Sequence, residues 1–146
     1  MKYILILATL ATASCYAIQE QKTLTMNIQQ NIVKLSVNQQ SFDLMLENND
    51  TARAFAHLLP LDLTMQDHLK NEKFSTLPQA LPSNDKRAGY IEAGDVMLFQ
   101  DNTLVIFYEN FNSNYYYTRI GTITKTEQLK QLLGNAHIQV RIEKDN

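Results

Sequence analysis

Six side chains in this chain of 146 residues have the chemistry and position to grip a ligand: Arg53, Glu72, Tyr90, Tyr108, Tyr117 and Arg119. An arginine fork donates hydrogen bonds to a carboxylate or carbonyl. Tyrosines line a groove with an apolar ring and keep a polar tip. Glu72 sits in Asn71-Glu72-Lys73, and neighbours on a strand point to opposite faces. Glu72 and Lys73 therefore do not pair with each other, and one of them turns toward whatever the sheet encloses. A buried Glu72 needs an arginine or tyrosine beside it, which Arg119 or Tyr108 could supply. It is then either half of a structural ion pair or a ligand anchor. Tyr115, Tyr116 and Tyr117, with Phe107, Tyr108 and Phe111, suit a groove for a peptide or small molecule and equally suit core and rim packing. Arg53, on a predicted helix, and Arg87, in a predicted loop, could each meet a ligand carboxylate.

Other chemistries lack their residues. His57 and His68 lie near Asp62 and Asp67, but no HxH or HExxH spacing occurs, so they read as surface histidines and no metal site is expected. No serine stands in a nucleophile-elbow motif, and the four glycines form no phosphate-cradling pattern, so no cofactor is expected. Cys15 is the only cysteine, which excludes a disulfide scaffold, a cysteine-ligated zinc and a cysteine nucleophile from the folded domain. The net charge of -2 and the lack of any basic block argue against nucleic acid as a partner.

The chain begins "MKYILILATLATASCYAIQE". A lysine, an apolar run from Tyr3 to Leu10 and small residues from Ala11 to Ser14 have the layout of a secretory signal peptide over residues 1–17. The run is short of the ~20 apolar residues that span a bilayer. Cleavage after Ala17 would leave Ile18 first and move the net charge from -2 to -3. Alternatively, Thr12-Ala13-Ser14-Cys15 resembles a bacterial lipobox in which Cys15 carries the lipid, although Thr12 stands where leucine is usual. The protein is thus expected to be exported, either periplasmic or secreted, or else anchored as a lipoprotein. No transmembrane span is expected in the mature chain, and the oligomeric state stays open.

The elements that must position the six side chains are mostly strands. Period-two alternation marks Leu24, Met26 and Ile28, then Val33, Leu35 and Val37, then Phe42, Leu44 and Leu46. Asn49 or Asp50 caps a short helix with Ala52, Phe55, Ala56 and Leu59 on one face, ended by Pro60. Alternation returns at Leu61, Leu63 and Met65, with a short strand around Lys73 to Leu77. A long loop with two prolines follows. Strands are predicted at about Asp95 to Gln100 and Thr103 to Tyr108, joined by a tight turn, with Gly94 permitting the entry and Asp95 bonding the turn's own backbone. "NFNSNYY" reads as a connection before a strand from Tyr117 to Ile123. Thr124 and Glu127 have capping-box spacing ahead of a helix through Leu129, Leu132 and Leu133 that Gly134 stops. Ile138, Val140 and Ile142 form the last strand. Eight or nine short strands with two short helices predict a mainly β fold, a closed or nearly closed β-barrel, with an open sandwich as the alternative.

The segments "NNDTARAFAHLLPLDLTMQD", "NEKFSTLPQALP", "AGYIEAGDVMLF" and "NTLVIFYENF" occur in this order. Together they resemble the bacterial cyclophilin-like proteins, a largely uncharacterised group, over roughly Thr23 to the C-terminus. Asn49-Asp50-Thr51-Ala52, Leu59-Pro60-Leu61, Asn71-Glu72-Lys73, Gly94-Asp95 and Ile106-Phe107-Tyr108 carry most of the likeness. The resemblance implies a closed cyclophilin-like β-barrel over residues 23–143 and says far less about activity. Authentic cyclophilins isomerise prolyl bonds with an arginine in a Phe-His-Arg motif, a Gln-Gly-Gly-Asp segment and a tryptophan. Here Glu92-Ala93-Gly94-Asp95 echoes the second loosely, while Phe-His-Arg and tryptophan are absent. The first expectation is an exported binding module for a peptide or small molecule. A weak peptidyl-prolyl isomerase and an interaction protein using a sheet edge are the alternatives.

Overall fold

A computed structural model describes residues 4–134 and 137–145. The chain divides into two compact units, Met1–Asn31 and Ile32–Asn146.

The first unit is one helix, α1 (Ile4–Gln30). The strand expected over Leu24, Met26 and Ile28 is therefore helical. Gln, Glu, Lys, Leu and Met from residue 18 onward are good helix formers, and Leu24 and Met26 are exposed, so their alternation serves no buried sheet face. Thr23 and Thr25 turn their hydroxyls back onto the carbonyls of Gln19 and Gln21, at 2.9 and 2.8 Å, which keeps them compatible with a helix. Among the described residues no helix is long and apolar enough to cross a membrane.

The described residues of the second unit form nine strands: β1 (Ile32–Val37), β2 (Gln40–Leu46), β3 (Leu61–His68), β4 (Glu72–Thr76), β5 (Lys86–Ile91), β6 (Asp95–Phe99), β7 (Thr103–Phe107), β8 (Phe111–Ile123) and β9 (His137–Lys144). They pair in the order β2-β1-β9-β3-β4-β7-β6-β8, and β8 returns to β2, so eight antiparallel strands close into a ring. This is the closure that the alternating pattern predicted. β5 lies outside the ring and pairs only with β8.

The alternating residues fill the ring. Leu35, Leu44, Met65, Leu98, Ile120 and Ile142 are almost wholly buried in one cluster. β6 and β7 are buried on both faces. Val96, Leu98, Leu104 and Ile106 face the ring interior, while Met97, Val105 and Phe107 meet Ile91 and Tyr117 in a second, outer cluster. The β5–β8 ribbon covers that outer face. Neither β5 nor the first half of β8 was expected as strand. Their mix of charge, glycine, asparagine and exposed tyrosine breaks alternation because one side of the ribbon is solvated.

Two short helices feed the ring cluster, as expected: α2 (Asp50–Leu58) with Ala52 and Phe55, and α3 (Leu129–Leu133) with its two end leucines. Asn49 caps α2 by accepting from the Ala52 N–H at 2.8 Å. The capping box before α3 does not form. Thr124 N–H donates to the Asp43 carbonyl at 3.0 Å, Lys125 turns left-handed at φ 58°, and a 3-10 turn over Thr126–Gln128 precedes α3 with no side-chain cap. Pinning Thr124 to β2 holds it two residues ahead of the 3-10 turn.

Candidate functional site

The tight entry to β6 uses Gly94 at φ +100°, where a Cβ would lie 2.8 Å from the Ile123 carbonyl oxygen. Gly94 donates its N–H to Phe107 and accepts from Ile123, both at 2.8 Å, so it is laced between β7 and the end of β8. That fixes Asp95, which is 2% exposed. One carboxylate oxygen accepts from the Glu92 N–H at 3.0 Å, the turn bond expected from sequence. The other accepts from Arg119 Nη2 at 2.5 Å, a bond not expected from sequence.

Arg119 stands where β8 changes partners. Through Tyr117 the strand pairs with β5, and from Gly121 it pairs with β2. Gly121 permits the second approach, since a Cβ there would sit 2.4 Å from the Met45 carbonyl oxygen. Between them, residues 118–120 face a fork bridged by loops. Asn84 N–H donates to the Thr118 hydroxyl at 2.9 Å, and that hydroxyl donates to Asp85 at 2.6 Å. The Asn49 amide donates to the Arg119 carbonyl at 2.9 Å, and Thr51 donates to the Pro82 carbonyl at 2.5 Å. The N-terminal turn of α2 is thereby tied to both banks.

The fork opens as a cleft of about 560 Å³. Met97, Tyr117, Ala88 and Pro82 give it apolar surface, and Asn49, Thr51, Asn84 and Thr118 give it neutral polar groups. Arg53, Lys86, Arg87 and Arg119 share the remainder with Glu47 and Asp50. Arg53 bonds Asp50 at 2.5 Å and Asn48 at 2.9 Å, and Arg87 bonds Asn114. Burial pushes the Tyr117 phenol up to about 12, helped by the nearby Glu72 charge, so it is a hydrogen-bond donor at any physiological pH. A second depression of about 350 Å³ lies by Lys34, but Asp43 already occupies that lysine at 2.5 Å.

Three of the six candidates, Arg53, Tyr117 and Arg119, thus converge on one cleft. Tyr90 is exposed on β5 outside its lining. Glu72 and Tyr108 lie outside this lining, and Glu72 is not the buried residue that would need Arg119 or Tyr108 beside it. Lys73, not Glu72, turns into the ring and is fully buried. Its Nζ donates to Asp67 Oδ1 at 2.9 Å and lies 5.8 Å from the Tyr108 ring centre. Tyr108 also gives its hydroxyl to Asp67, at 2.5 Å, and the Lys70 N–H donates to the other oxygen at 3.1 Å. Burial pushes the Asp67 carboxyl up, but the Tyr108, Lys73 and Lys70 bonds outweigh it and hold it below its ordinary value. Glu72 faces outward opposite Phe107, where burial raises its carboxyl above the ordinary value, the His68 charge opposes the rise and the Asp67 charge adds to it. Among the described residues no group of three or more His, Cys, Asp and Glu could hold a metal ion.

A closed antiparallel ring with an outer ribbon and this site is a cyclophilin-like domain. A model of the cyclophilin-like family matches residues 35–143, and the chain belongs to that family. The solution structure of a hypothetical protein from Archaeoglobus fulgidus is similar at a TM-score of 0.60 and 18% identity, over 80% of this chain and 95% of that one. McbB, solved in complex with tryptophan, is similar at a TM-score of 0.58 and 14% identity, over 78% of this chain but 45% of its own length. Both likenesses are of fold. No curated protein matches the chain.

Proposed function

We propose that this protein is exported and works as a binding module, holding a peptide or a small molecule in the cleft at the β8 fork. The cleft itself is the observation that carries this reading. Its volume of about 560 Å³ is that of a small-molecule site, and it sets apolar surface beside fixed polar groups. Export rests on the layout of residues 1–17, with release after Ala17 or lipid attachment at Cys15 as its two routes, leading to a periplasmic, secreted or membrane-anchored protein. Mass spectrometry of the mature N-terminus distinguishes them: Ile18 first means cleavage, a lipid-modified Cys15 means an anchor, and an intact Met1 overturns export.

Native mass spectrometry of the protein purified from its host tests the binding reading. A co-purifying small molecule or peptide that is displaced by ligand titration, and lost in Arg119→Ala, supports it. Tryptophan, which the similarly folded McbB holds, belongs in the first set of probes. Turnover in a protease-coupled proline-peptide assay that falls in Arg53→Ala or Arg119→Ala would replace the reading with the isomerase one. The sheet-edge alternative is weakened by β5, the one strand among the described residues with a single neighbour. It carries Lys86, Arg87 and a register shift between Arg87 and Gly89, features that blunt an edge against further pairing.

A further inference from the structure

We propose that the ligand of this cleft carries a carboxylate, with Arg119 as its anchor, Lys86 as the second cation, and Asp95 as the residue that positions Arg119. The inference rests on the binding reading above and names the class of ligand.

Charge placement is the first ground. The chain is acidic overall, with 13 basic and 15 acidic residues, yet four of those basic side chains line one cleft. The acids in the lining are already engaged: Asp50 holds Arg53 at 2.5 Å, and Glu47 faces Arg119 Nε at 3.8 Å. Lys86 and Arg87 have no ion-pair partner among the described residues, so neither cation of the β5 bank is held by a carboxylate, and Asp85 beside them is engaged by Thr118.

The presentation of Arg119 is the second ground. Its side chain is 44% exposed, while the Asp95 side chain behind it is 3% exposed. Nη2 is committed to Asp95 and Nε faces Glu47, and among the described residues Nη1 has no acceptor. A guanidinium held from behind has already lost much of its rotamer freedom, so a carboxylate that meets its open side gains a charge-assisted bond at reduced entropic cost. Met97 and Tyr117 supply apolar surface next to it, which suits an acid carrying an apolar or aromatic group. A free small acid and the C-terminal residue of a peptide both present that chemistry.

The test titrates the isotopically labelled full chain with N-acetylphenylalanine, with its uncharged amide, and with a short peptide ending in free phenylalanine. Backbone amide shifts at Lys86, Ala88, Thr118 and Arg119 report occupancy. The acid is expected to shift them saturably and to bind at least about tenfold more tightly than the amide, weakening as salt rises. Arg119→Ala and Lys86→Ala should each remove most of that preference. Lys86 is exposed and has no ion-pair partner among the described residues, so its loss leaves the fold intact. Asp95→Asn keeps an acceptor for the Glu92 N–H but removes the charge behind Arg119. It should weaken the acid and leave the amide unchanged, which a merely structural role would not do. Tighter binding of the peptide than of the acid assigns the carboxylate to a chain terminus, and equal or weaker binding assigns it to a free acid. Equal binding of acid and amide overturns the carboxylate inference and leaves the binding reading standing. Binding by none of the three overturns both.

Discussion

Two carboxylates in this protein each hold a basic side chain, with opposite burial. In the pair of Asp67 and Lys73 the acid side chain is 24% exposed and the lysine is sealed, at 2.9 Å. In the pair of Asp95 and Arg119 the acid is 3% exposed and the arginine 44% exposed, at 2.5 Å. A sealed cation has its charge consumed by its surroundings and can meet nothing that arrives from solution. A sealed acid with an exposed cation directs a fixed donor at solvent. The first pair belongs to the end of the ring and the second to the cleft, although both rest on one kind of bond. Burial of the partner decides whether an ion pair is structure or site.

The largest way to break this comparison is Asp67→Ala. It takes one partner from a fully buried ammonium, and breaking a buried ion pair from one side costs about 3–5 kcal/mol. Urea unfolding should show that loss while the acid probe still binds whatever protein remains folded. Asp95→Asn should cost much less, about 1 kcal/mol, because the released Arg119 is free to take up water. Equal destabilisation by the two variants would mean that both pairs are structural.

The sequence displays the ring better than it displays the site. β1, β2, β3 and β9 each pack one face inward, so Val33, Leu35 and Val37, or Ile138, Val140 and Ile142, announce their strands by alternation alone. The same rule misled at Leu24 and Met26, where alternation lies on an exposed helix. In β4 alternation leaves open which of Glu72 and Lys73 faces inward, and the structure settles it, with Phe74 on the outer cluster and Lys73 fully buried. Arg53, Tyr117 and Arg119 were legible as types, but their meeting depends on the fork of β8. Asp95 reads as a turn residue because its partner is 24 positions away, and only the pairing of Met97 with Arg119 brings them together.

The turn that serves Asp67 offers a smaller change of opposite sign. Leu69 and Lys70 stand at φ 54° and 56°, in the left-handed region that costs a residue with a Cβ roughly 1–2 kcal/mol. The turn between β1 and β2 also bends through positive φ, at Asn38 and Gln39, and of these two only Asn38 is a residue that tolerates it better. Lys70→Gly keeps the backbone N–H that donates to Asp67 and relieves the strain, so it should raise stability by about 0.5–1 kcal/mol, after glycine's greater unfolded freedom is counted. A loss of stability would show that the Lys70 side chain contributes more than its backbone.

The two carboxylates Asp67 and Glu72 sharpen the comparison through pH, with opposite signs. Asp67 is held below its ordinary 3.8, so it stabilises the fold above that value and loses the contribution as pH falls through its folded value. Glu72 is raised above its ordinary 4.5 by burial on the outer cluster. Its contribution is full below 4.5 and is lost as pH rises through the folded value, because the charged form is the one that burial penalises. Glu72→Gln, which cannot ionise, should therefore raise the urea midpoint at pH 7, and the gain should vanish below pH 4.5. It is the smallest effect of the set, since Glu72 is only partly covered and His68 offsets some of the cost. A midpoint that falls at pH 7 would mean that the charged Glu72 is bonded in the folded protein, and would return it to the ligand anchors that its sequence position suggested.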